Sequence, residues 1–176
     1  VHRRGKYLIV EMEPRAFWLI HLGMSGGLLY SPGLPERSRH THATVRFADG
    51  GVLQYRDPRR FGLLDVYEIP RLAALPEIRR LGRDPLSPGF TSRWLWLALA
   101  QSRRDIKSFL LDQGKIAGLG NIYACEAMFR ARLHPMQRSN TVSRREAASL
   151  TRAIREVLQA AIRHRGTSFS DFIDSD

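Results

Sequence analysis

The sequence contains almost no cysteine, since Cys125 is the only one in 176 residues. A single thiol excludes an internal disulfide and any zinc site built from several cysteines of this chain, and it favours a reducing compartment. The sequence also lacks an apolar run long enough to span a bilayer, and it does not open with a signal peptide. We therefore expect no membrane association and a cytoplasmic or nucleoid location.

Acidic residues are scarce as well: 17 Asp plus Glu stand against 28 Lys plus Arg, which gives a net charge of +11. A soluble chain with this surplus most often binds a polyanion, and nucleic acid is the leading candidate. The alternative is a general enrichment in arginine from a GC-rich genome, with the charge spread over solvated faces. The 43% of hydrophobic residues place the chain among globular proteins, and its length allows one large or two small domains.

The first half of the chain has the pattern of β-strands. Short runs rich in β-branched and aromatic residues are separated by Gly, Pro and Asp. The runs are KYLIVEM, FWLIHLGM, ATVRFADG, GVLQYRD and GLLDVYEI. ADGG, residues 48–51, predicts a hairpin turn between two of them.

From Thr91 onward the pattern predicts helices. The helical segments are TSRWLWLALAQS, DIKSFLLDQ, NIYACEAMFRAR and SRREAASLTRAIREVLQAAIRHRG. Thr91 is placed to cap the first of them, and Ser143 with Glu146 predicts a capping box on the last, which Gly166 would end. The chain therefore divides into a β-rich portion over residues 1–70, a linker over 71–90 and an α-helical portion over 91–176. Neither end of the sequence carries a turn or a cap that would close the first or last element, so we expect both ends to be truncated.

Two loops of the β-rich portion carry unusual side chains for exposed turns. HLGMSG, residues 21–26, places Met24 on a tight turn, and DPRRFG, residues 57–62, places Arg59 and Phe61 on another. Proteins that extrude a nucleotide fill the gap with apolar wedges and satisfy the widowed base with a cation, and arginine does so with a bidentate fork. The alternative is that Met24 and Phe61 fold inward and the arginines only decorate the turn.

A third segment, residues 107–135, predicts two helices joined by a glycine-containing connector. We expect the chain to double back through Gly118 and Gly120, with Asn121 at the N-cap of the second helix. The positive end of that helix and its free backbone N–H groups would suit a phosphate. An ordinary helix connector with an ordinary cap is an equally good interpretation of these residues alone.

Taken together, RGKYLIVE, HLGMSG, HTH, DPRRFG, LLDQ…AGLGNIY…E and GTSFSDF resemble the formamidopyrimidine-DNA glycosylase/endonuclease VIII family of bifunctional DNA repair glycosylases. The resemblance runs through the whole chain in the family's order, and DPRRFG points to the formamidopyrimidine branch. The LLDQ…AGLGNIY segment is similar to the family's helix–two-turn–helix element. The resemblance implies an α+β fold, with a partial antiparallel β-sandwich followed by an α-helical helix–two-turn–helix domain.

The resemblance also implies roles for residues that enter or react with DNA. Lys6 matches a lysine that donates a proton in β-elimination. Met24 matches the residue that fills the void, Arg59 the one that pairs with the orphaned cytosine, and Phe61 the wedge beside it. The partner implied is damaged double-stranded DNA.

Other matched positions concern the DNA backbone and the lesion. His21 and Asn121 match contacts to the phosphates around the flipped nucleotide, and His40 matches another DNA-binding position. Lys107 matches a family lysine close to the active site, and either Arg103 or Arg104 matches a basic DNA contact. Thr167 and Ser168 lie where the family's base-recognition loop begins.

Two family features are not found in the sequence. Family members begin with Pro-Glu, whose proline amine attacks the sugar C1′ and whose glutamate gives acid–base help, whereas this chain begins at Val1. The family also ends in a four-cysteine zinc finger. We therefore expect either a fragment of a longer gene product, which we favour, or a degenerate paralogue. We expect no metal or other cofactor in this chain, with zinc only in the full-length protein.

The resulting hypothesis is a DNA glycosylase and AP lyase that excises oxidised purines, namely 8-oxoguanine and formamidopyrimidines, by base flipping and Schiff-base chemistry. The chain by itself is expected to be inactive, because the nucleophile is missing, and to be a monomer. The alternative is a non-catalytic module that binds structured RNA or DNA. The two loops discriminate between these hypotheses, because a protein that binds only the backbone has no use for them.

Overall fold

A computed structural model of the chain describes residues 1–13, 16–33, 35, 39–68 and 72–164. The chain divides into two compact units, Val1–Ile78 and Arg79–Asp176, and the division falls inside the segment predicted as a linker. No helix of the described residues is long and apolar enough to cross a membrane. Gly166, Thr167 and Ser168 lie outside the described residues, so the expectations for them stay predictions.

The described part of the first unit forms two antiparallel sheets. The strands are β1 (His2–Arg4), β2 (Tyr7–Met12), β3 (Ala16–His21), β4 (Gly27–Ser31), β5 (Thr41–Arg46), β6 (Val52–Arg56) and β7 (Leu63–Glu68). Their order is β1-β2-β3-β7 in one sheet and β4-β6-β5 in the other. Every predicted run is a strand, and the ADGG hairpin joins β5 to β6 as predicted. The strands β1 and β4 were missed, because one is short and cationic and the other is flanked by Gly-Gly and Ser-Pro.

The strand register brings two connections of the first unit side by side. His21 at the end of β3 lies opposite Leu63 at the start of β7, and Gly27 at the start of β4 lies opposite Arg56 at the end of β6. Residues 22–26 and residues 57–62 therefore each connect a strand of one sheet to a strand of the other, and both connections lie at the same end of the strands. We call these two segments the loop pair. Apolar residues of both sheets, including Leu19 and Val52, are buried.

The second unit is helical. Its helices are α2 (Ser92–Ala100), α3 (Ile106–Leu111), α4 (Asn121–Ala131) and α5 (Arg144–Arg163), and a short helix α1 (Pro76–Arg79) lies at the division between the units. Helices α2 to α5 were predicted, whereas α1 and two 3₁₀ turns were not. The predicted cap at Thr91 is confirmed by its bond from the Trp94 N–H, and the Ser143–Glu146 capping box is confirmed as well.

The predicted N-cap of α4 is wrong by one residue. Gly120 is the N-cap, and Asn121 is the first helical residue. The extended backbone of Gly120, at φ −108°, is what places the cap there. Because glycine has no side chain, no side chain of the cap residue occupies the N–H groups at the start of α4.

The core of the second unit is apolar and continuous. Its fully buried members include Phe90, Leu95, Leu99, Phe109, Leu119, Leu150 and Ile154. The segment before α2 is held on this unit by Arg155, which donates hydrogen bonds to the carbonyls of Pro85, Ser87 and Phe90 at 3.2, 2.9 and 2.8 Å.

Candidate nucleic-acid interface

One carboxylate joins the two segments of the loop pair. Asp57 is 1% exposed, and its Oδ1 accepts a hydrogen bond from the Ser25 hydroxyl at 2.6 Å. Its Oδ2 accepts from the Gly62 N–H at 2.8 Å and from the Tyr55 hydroxyl at 3.1 Å. Asp57 therefore fixes the first segment to the second and closes the second segment on itself.

The Arg59 backbone completes this network. Its N–H points between the Ser25 hydroxyl oxygen at 3.2 Å and Asp57 Oδ1 at 3.3 Å. The Ser25 hydroxyl is the largest influence that holds the pKa of Asp57 well below its usual range; burial acts in the opposite direction, and the bonds from Gly62, Tyr55 and Arg59 reinforce the lowering. Asp57 is thus ionised at neutral pH, and a charged acceptor gives strong hydrogen bonds.

The two segments also touch so closely that only glycine fits at the contact. Gly23 has φ +64°, and a Cβ there would lie 2.6 Å from the carbonyl carbon of Phe61. A Cβ on Gly62 would collide with the Tyr55 hydroxyl. Gly23 lets the backbones of the loop pair pack against each other, and Gly62 leaves room for the Tyr55 hydroxyl that bonds to Asp57.

The loop pair displays apolar and cationic side chains to solvent. Met24 is 74% exposed and Phe61 is 56% exposed, which excludes the interpretation that they fold into the protein interior. The Arg59 guanidinium lies 4.6 Å from the centre of the Phe61 ring, a cation–π distance. Between them, Arg60 has φ +56°, a left-handed conformation that costs a non-glycine residue about 1–2 kcal/mol. Such strain is typical of functional loops.

Lys6 and His21 form a second group in the first unit. Lys6 lies in the two-residue turn between β1 and β2, next to Gly5 with φ +59°. Burial lowers the pKa of Lys6, while burial and then the nearby Lys6 charge lower the pKa of His21. The Gly23 N–H donates to His21 Nδ1 at 3.1 Å, so the neutral ring carries its proton on Nε2. The Nε2–H is the donor that remains for a ligand.

The histidines of the HTH segment differ in what they touch. The His40 carbonyl accepts a hydrogen bond from the Asp57 N–H at 3.0 Å, and the residue is exposed. The His42 ring Nε2 lies 2.8 Å from the Asp57 carbonyl oxygen. His42 therefore supports the loop pair from β5, a role that the sequence did not reveal.

In the second unit, the predicted basic contacts lie in the loop between α2 and α3 and in the first turn of α3. Arg104 pairs with Asp112 at 3.1 Å, whereas Arg103 is exposed and Lys107 is half-buried. Asp105 caps α3 by accepting from the Ser108 N–H at 2.7 Å. The Ile106 N–H bonds to the Gln137 carbonyl, and the Ser139 N–H to the Arg104 carbonyl, both at 2.9 Å. The loop that presents the two arginines is thus supported by residues 137–139.

Gln113 organises the connector between α3 and α4. Its Nε2 donates to the carbonyls of Leu111 and Leu119 at 3.0 and 2.9 Å, and its Oε1 accepts from the Gly118 N–H at 2.9 Å. Gly118 has φ +92°, so the turn needs glycine there. Asn121 is exposed in the first turn of α4, at the positive end of the helix dipole, where an anion is favoured.

Sequence reasoning missed Asp57, Ser25, His42 and Gln113. The Asp-Pro pair indicated only a turn, although an aspartate that opens a loop of this kind often accepts the loop's own N–H groups, and that tendency could have pointed to Asp57. The bond between Ser25 and Asp57 spans 32 positions, so no local pattern reveals it. Within the described ranges, no three His, Cys, Asp or Glu side chains are grouped as metal ligands would be.

Comparison with known proteins places the chain in a family. Residues 1–64 match the formamidopyrimidine-DNA glycosylase N-terminal domain, and residues 81–172 match the formamidopyrimidine-DNA glycosylase H2TH domain. The fold is thus α+β, with an antiparallel β portion and a helix–two-turn–helix domain. The chain belongs to the formamidopyrimidine-DNA glycosylase family.

Individual relatives agree with this result. The chain is 43% identical to the formamidopyrimidine-DNA glycosylase of Pelotomaculum thermopropionicum over 100% of its length and 64% of the relative's. It superimposes on the MutM (Fpg) protein of Thermus thermophilus with a TM-score of 0.85 and 42% identity, covering 97% of this chain and 62% of that one. For a Lactococcus lactis Fpg in complex with DNA that contains an abasic site, the TM-score is 0.88 at 34% identity, with coverage of 96% and 62%. The chain therefore spans less than two thirds of the length of these relatives.

Proposed function

We propose that the chain is the portion of a DNA repair glycosylase that binds damaged duplex DNA and occupies the gap left by an extruded nucleotide. The observation that carries this proposal is the exposure of Met24, Arg59 and Phe61 on the loop pair. The two segments of the loop pair are held together by hydrogen bonds to the buried Asp57 carboxylate. The proposal is supported by relatives named formamidopyrimidine-DNA glycosylase and by the solved complex of the Lactococcus lactis protein with abasic-site DNA.

The three displayed side chains suit three different tasks in a distorted duplex. Phe61 inserts between base pairs, a step that requires unstacking at a cost on the order of a few kcal/mol. Arg59 donates to the acceptor edge of the cytosine that has lost its partner, and Met24, flexible and polarisable, fills the remaining space. A fixed loop pair lowers the entropy that these side chains lose on insertion.

Backbone contacts come from residues in each unit. In the first unit, the Nε2–H of His21 and the exposed His40 bind phosphate oxygens near the lesion. In the second unit, Arg103 or Arg104, together with Lys107 and the N-terminus of α4 at Asn121, binds other phosphates. These contacts give affinity but little sequence preference, so binding should weaken steeply with salt.

Lys6 is the one residue of this chain to which we assign a chemical step. Its pKa is lowered by burial, which makes its ammonium group a stronger acid than a solvated lysine and a better proton donor during β-elimination. In the family, the amine that forms the Schiff base belongs to an N-terminal Pro-Glu pair, and the 176-residue sequence opens with Val-His. The polypeptide alone is therefore proposed to bind damaged DNA without excising a base, and zinc is proposed only for a longer protein.

Competition binding tests the proposal. The chain should bind a duplex with an abasic-site analogue opposite cytosine more tightly than the undamaged duplex or a folded RNA. Arg59→Ala should remove the preference for cytosine over other opposite bases, whereas Arg152→Ala, an exposed arginine on α5, should leave it unchanged. Equal affinity for the lesion duplex and folded RNA would favour the non-catalytic RNA-binding alternative instead. Borohydride trapping of this polypeptide on an 8-oxoguanine duplex would refute the proposed lack of excision.

A further inference from the structure

The second unit carries a surface pocket that the proposed DNA contacts do not use. It has a volume of about 470 Å³ and is lined by Ser92, Arg93, Trp96, Leu97 and Arg144. The first four residues lie along one face of the first turns of α2, and Arg144 begins α5. Arg103 and Arg104 follow the opposite end of α2, so the pocket is separate from that basic loop. We call it the arginine–tryptophan pocket.

The pocket combines an apolar surface with two cations. Leu97 is 44% exposed, and the Arg144 guanidinium stacks on the Trp96 ring at 4.4 Å. Arg93 is exposed and precedes Leu97 by one turn of α2. Among the described residues, no carboxylate lines the pocket and neither arginine takes part in an ion pair. An exposed leucine and a half-buried tryptophan beside two unneutralised cations favour a ligand that is both apolar and acidic.

The positions of the two arginines are an independent observation. Arg93 is the second residue of α2, and Arg144 is the first residue of α5. The N-terminal turn of a helix carries partial positive charge and favours acids, so a cation there opposes the helix dipole. Both helices have their own side-chain caps, Thr91 and Ser143, and do not need arginine to form. Side chains that reduce stability at a surface pocket are typical of binding sites.

We propose that the arginine–tryptophan pocket binds an acidic segment of a partner protein. One apolar side chain of that segment packs on Leu97, and carboxylates beside it pair with Arg93 and Arg144. A second copy of this chain is a poor occupant, because a chain of net charge +11 repels its own basic surface. Nucleic acid is a poor occupant too, because the Trp96 face that a base would stack on is covered by Arg144.

Anisotropy with a fluorescein-labelled synthetic peptide, Leu-Phe flanked by two aspartates on each side, tests this site. Arg93→Glu and Arg144→Glu should each lower the affinity for the peptide by about tenfold, as expected for reversing one charge of a close pair. Arg93→Glu should also raise Tm, because an acid replaces a cation in the first turn of α2, whereas Arg144→Glu also loses the stacking of Arg144 on Trp96. Arg152→Glu changes the net charge equally at an exposed position of α5 and should change the affinity less than about twofold.

Peptide controls separate the two halves of the ligand. Replacing the aspartates by asparagine, or Leu-Phe by two alanines, should each reduce binding, as should Leu97→Asp in the protein. Equal weakening by Arg152→Glu and Arg144→Glu would show only general charge attraction and would overturn the proposal. It would also be overturned by an oligothymidine that competes for the pocket more tightly than the peptide, or by a concentration-dependent dimer that Arg144→Glu abolishes.

Discussion

The loop pair of the first unit and the helical core of the second unit are ordered by different forces. In the loop pair, a buried carboxylate, a hydroxyl and backbone N–H groups hold the segments, while the large side chains face solvent. In the second unit, large apolar side chains such as Phe109 and Leu95 are themselves buried. The difference teaches that an exposed apolar side chain can be held in place without being buried. Its backbone is fixed instead, through hydrogen bonds to a buried polar group.

The two arrangements should fail in different ways. Apolar packing loses stability roughly in proportion to the volume removed. A polar network anchored on one charged acceptor loses several bonds at once when that acceptor is changed, because its donors are left unsatisfied. Substitutions in the core should therefore change stability, whereas substitutions in the loop pair should change recognition as well as stability.

The largest effect is expected from the core. Phe109 is 1% exposed, so Phe109→Ala should lower the free energy of unfolding by about 3–5 kcal/mol. Urea denaturation followed by circular dichroism measures the change. Phe129→Ala, at a residue that is 84% exposed, is the matched control and should stay within about 0.5 kcal/mol. Similar losses for both phenylalanines would mean that the second unit is not packed as described.

The next largest effect is expected from Asp57, whose substitution should disrupt the arrangement of the loop pair. In Asp57→Asn the amide nitrogen cannot accept the hydrogen bonds that an ionised oxygen accepts, so Met24 and Phe61 lose their fixed spacing. Preference for an abasic-analogue duplex over undamaged DNA should fall by about tenfold or more, because small misplacements of positioning groups have large effects. Titrations of both duplexes measure it.

Asp49→Asn provides the matched control for that substitution. The Asp49 carboxylate accepts the Gly51 N–H at 2.9 Å in the β5–β6 hairpin, and an asparagine oxygen can accept the same bond. The lesion preference of this variant should be unchanged. An Asp57→Asn protein that keeps full preference would show that the carboxylate does not position the displayed side chains.

The two regions differ in how much of their structure could be predicted from the sequence alone. The helices of the second unit were predictable, because periodicity and capping are local, as Thr91 and the Ser143–Glu146 box show. The loop pair was predictable in its displayed residues, whose types are unusual for turns, but not in its support. Ser25 and Asp57 meet only because β3, β4, β6 and β7 pair in a particular register, and register is a property of the folded sheets. The shift of the α4 cap from Asn121 to Gly120 is the ordinary one-residue uncertainty of helix ends.

Two arginines with a left-handed backbone conformation, one in each unit, extend the comparison. Arg60 in the loop pair has φ +56°, and Arg132 at the C-cap of α4 has φ +55°. Glycine relieves the strain at either site, so Arg60→Gly and Arg132→Gly should each change the free energy of unfolding by up to about 1 kcal/mol in the stabilising direction. Only Arg60→Gly should also weaken binding to the lesion duplex, because it loosens the segment that carries Arg59 and Phe61. Equal binding losses for the two variants would remove the distinction between a strained functional loop and an ordinary helix end.

The smallest effect concerns pH and His21. Burial, and then the charge of Lys6, lower the pKa of His21 below its ordinary value of 6.5. Between that lowered pKa and 6.5 the unfolded chain binds more protons than the folded chain, so stability rises with pH through this window and is lost on acidification. Protonation also removes the Nδ1 acceptor of the Gly23 N–H, which disturbs the first segment of the loop pair.

An NMR titration of the His21 ring resonances measures this pKa directly. Lys6→Met removes the second cause of the shift and should raise the pKa of His21 part of the way toward 6.5, leaving the part due to burial. His21→Gln should flatten the dependence of stability on pH between the lowered pKa and 6.5, because a glutamine does not titrate there. A His21 pKa at or above 6.5 in the folded protein would contradict the lowering that we attribute to burial and to the Lys6 charge.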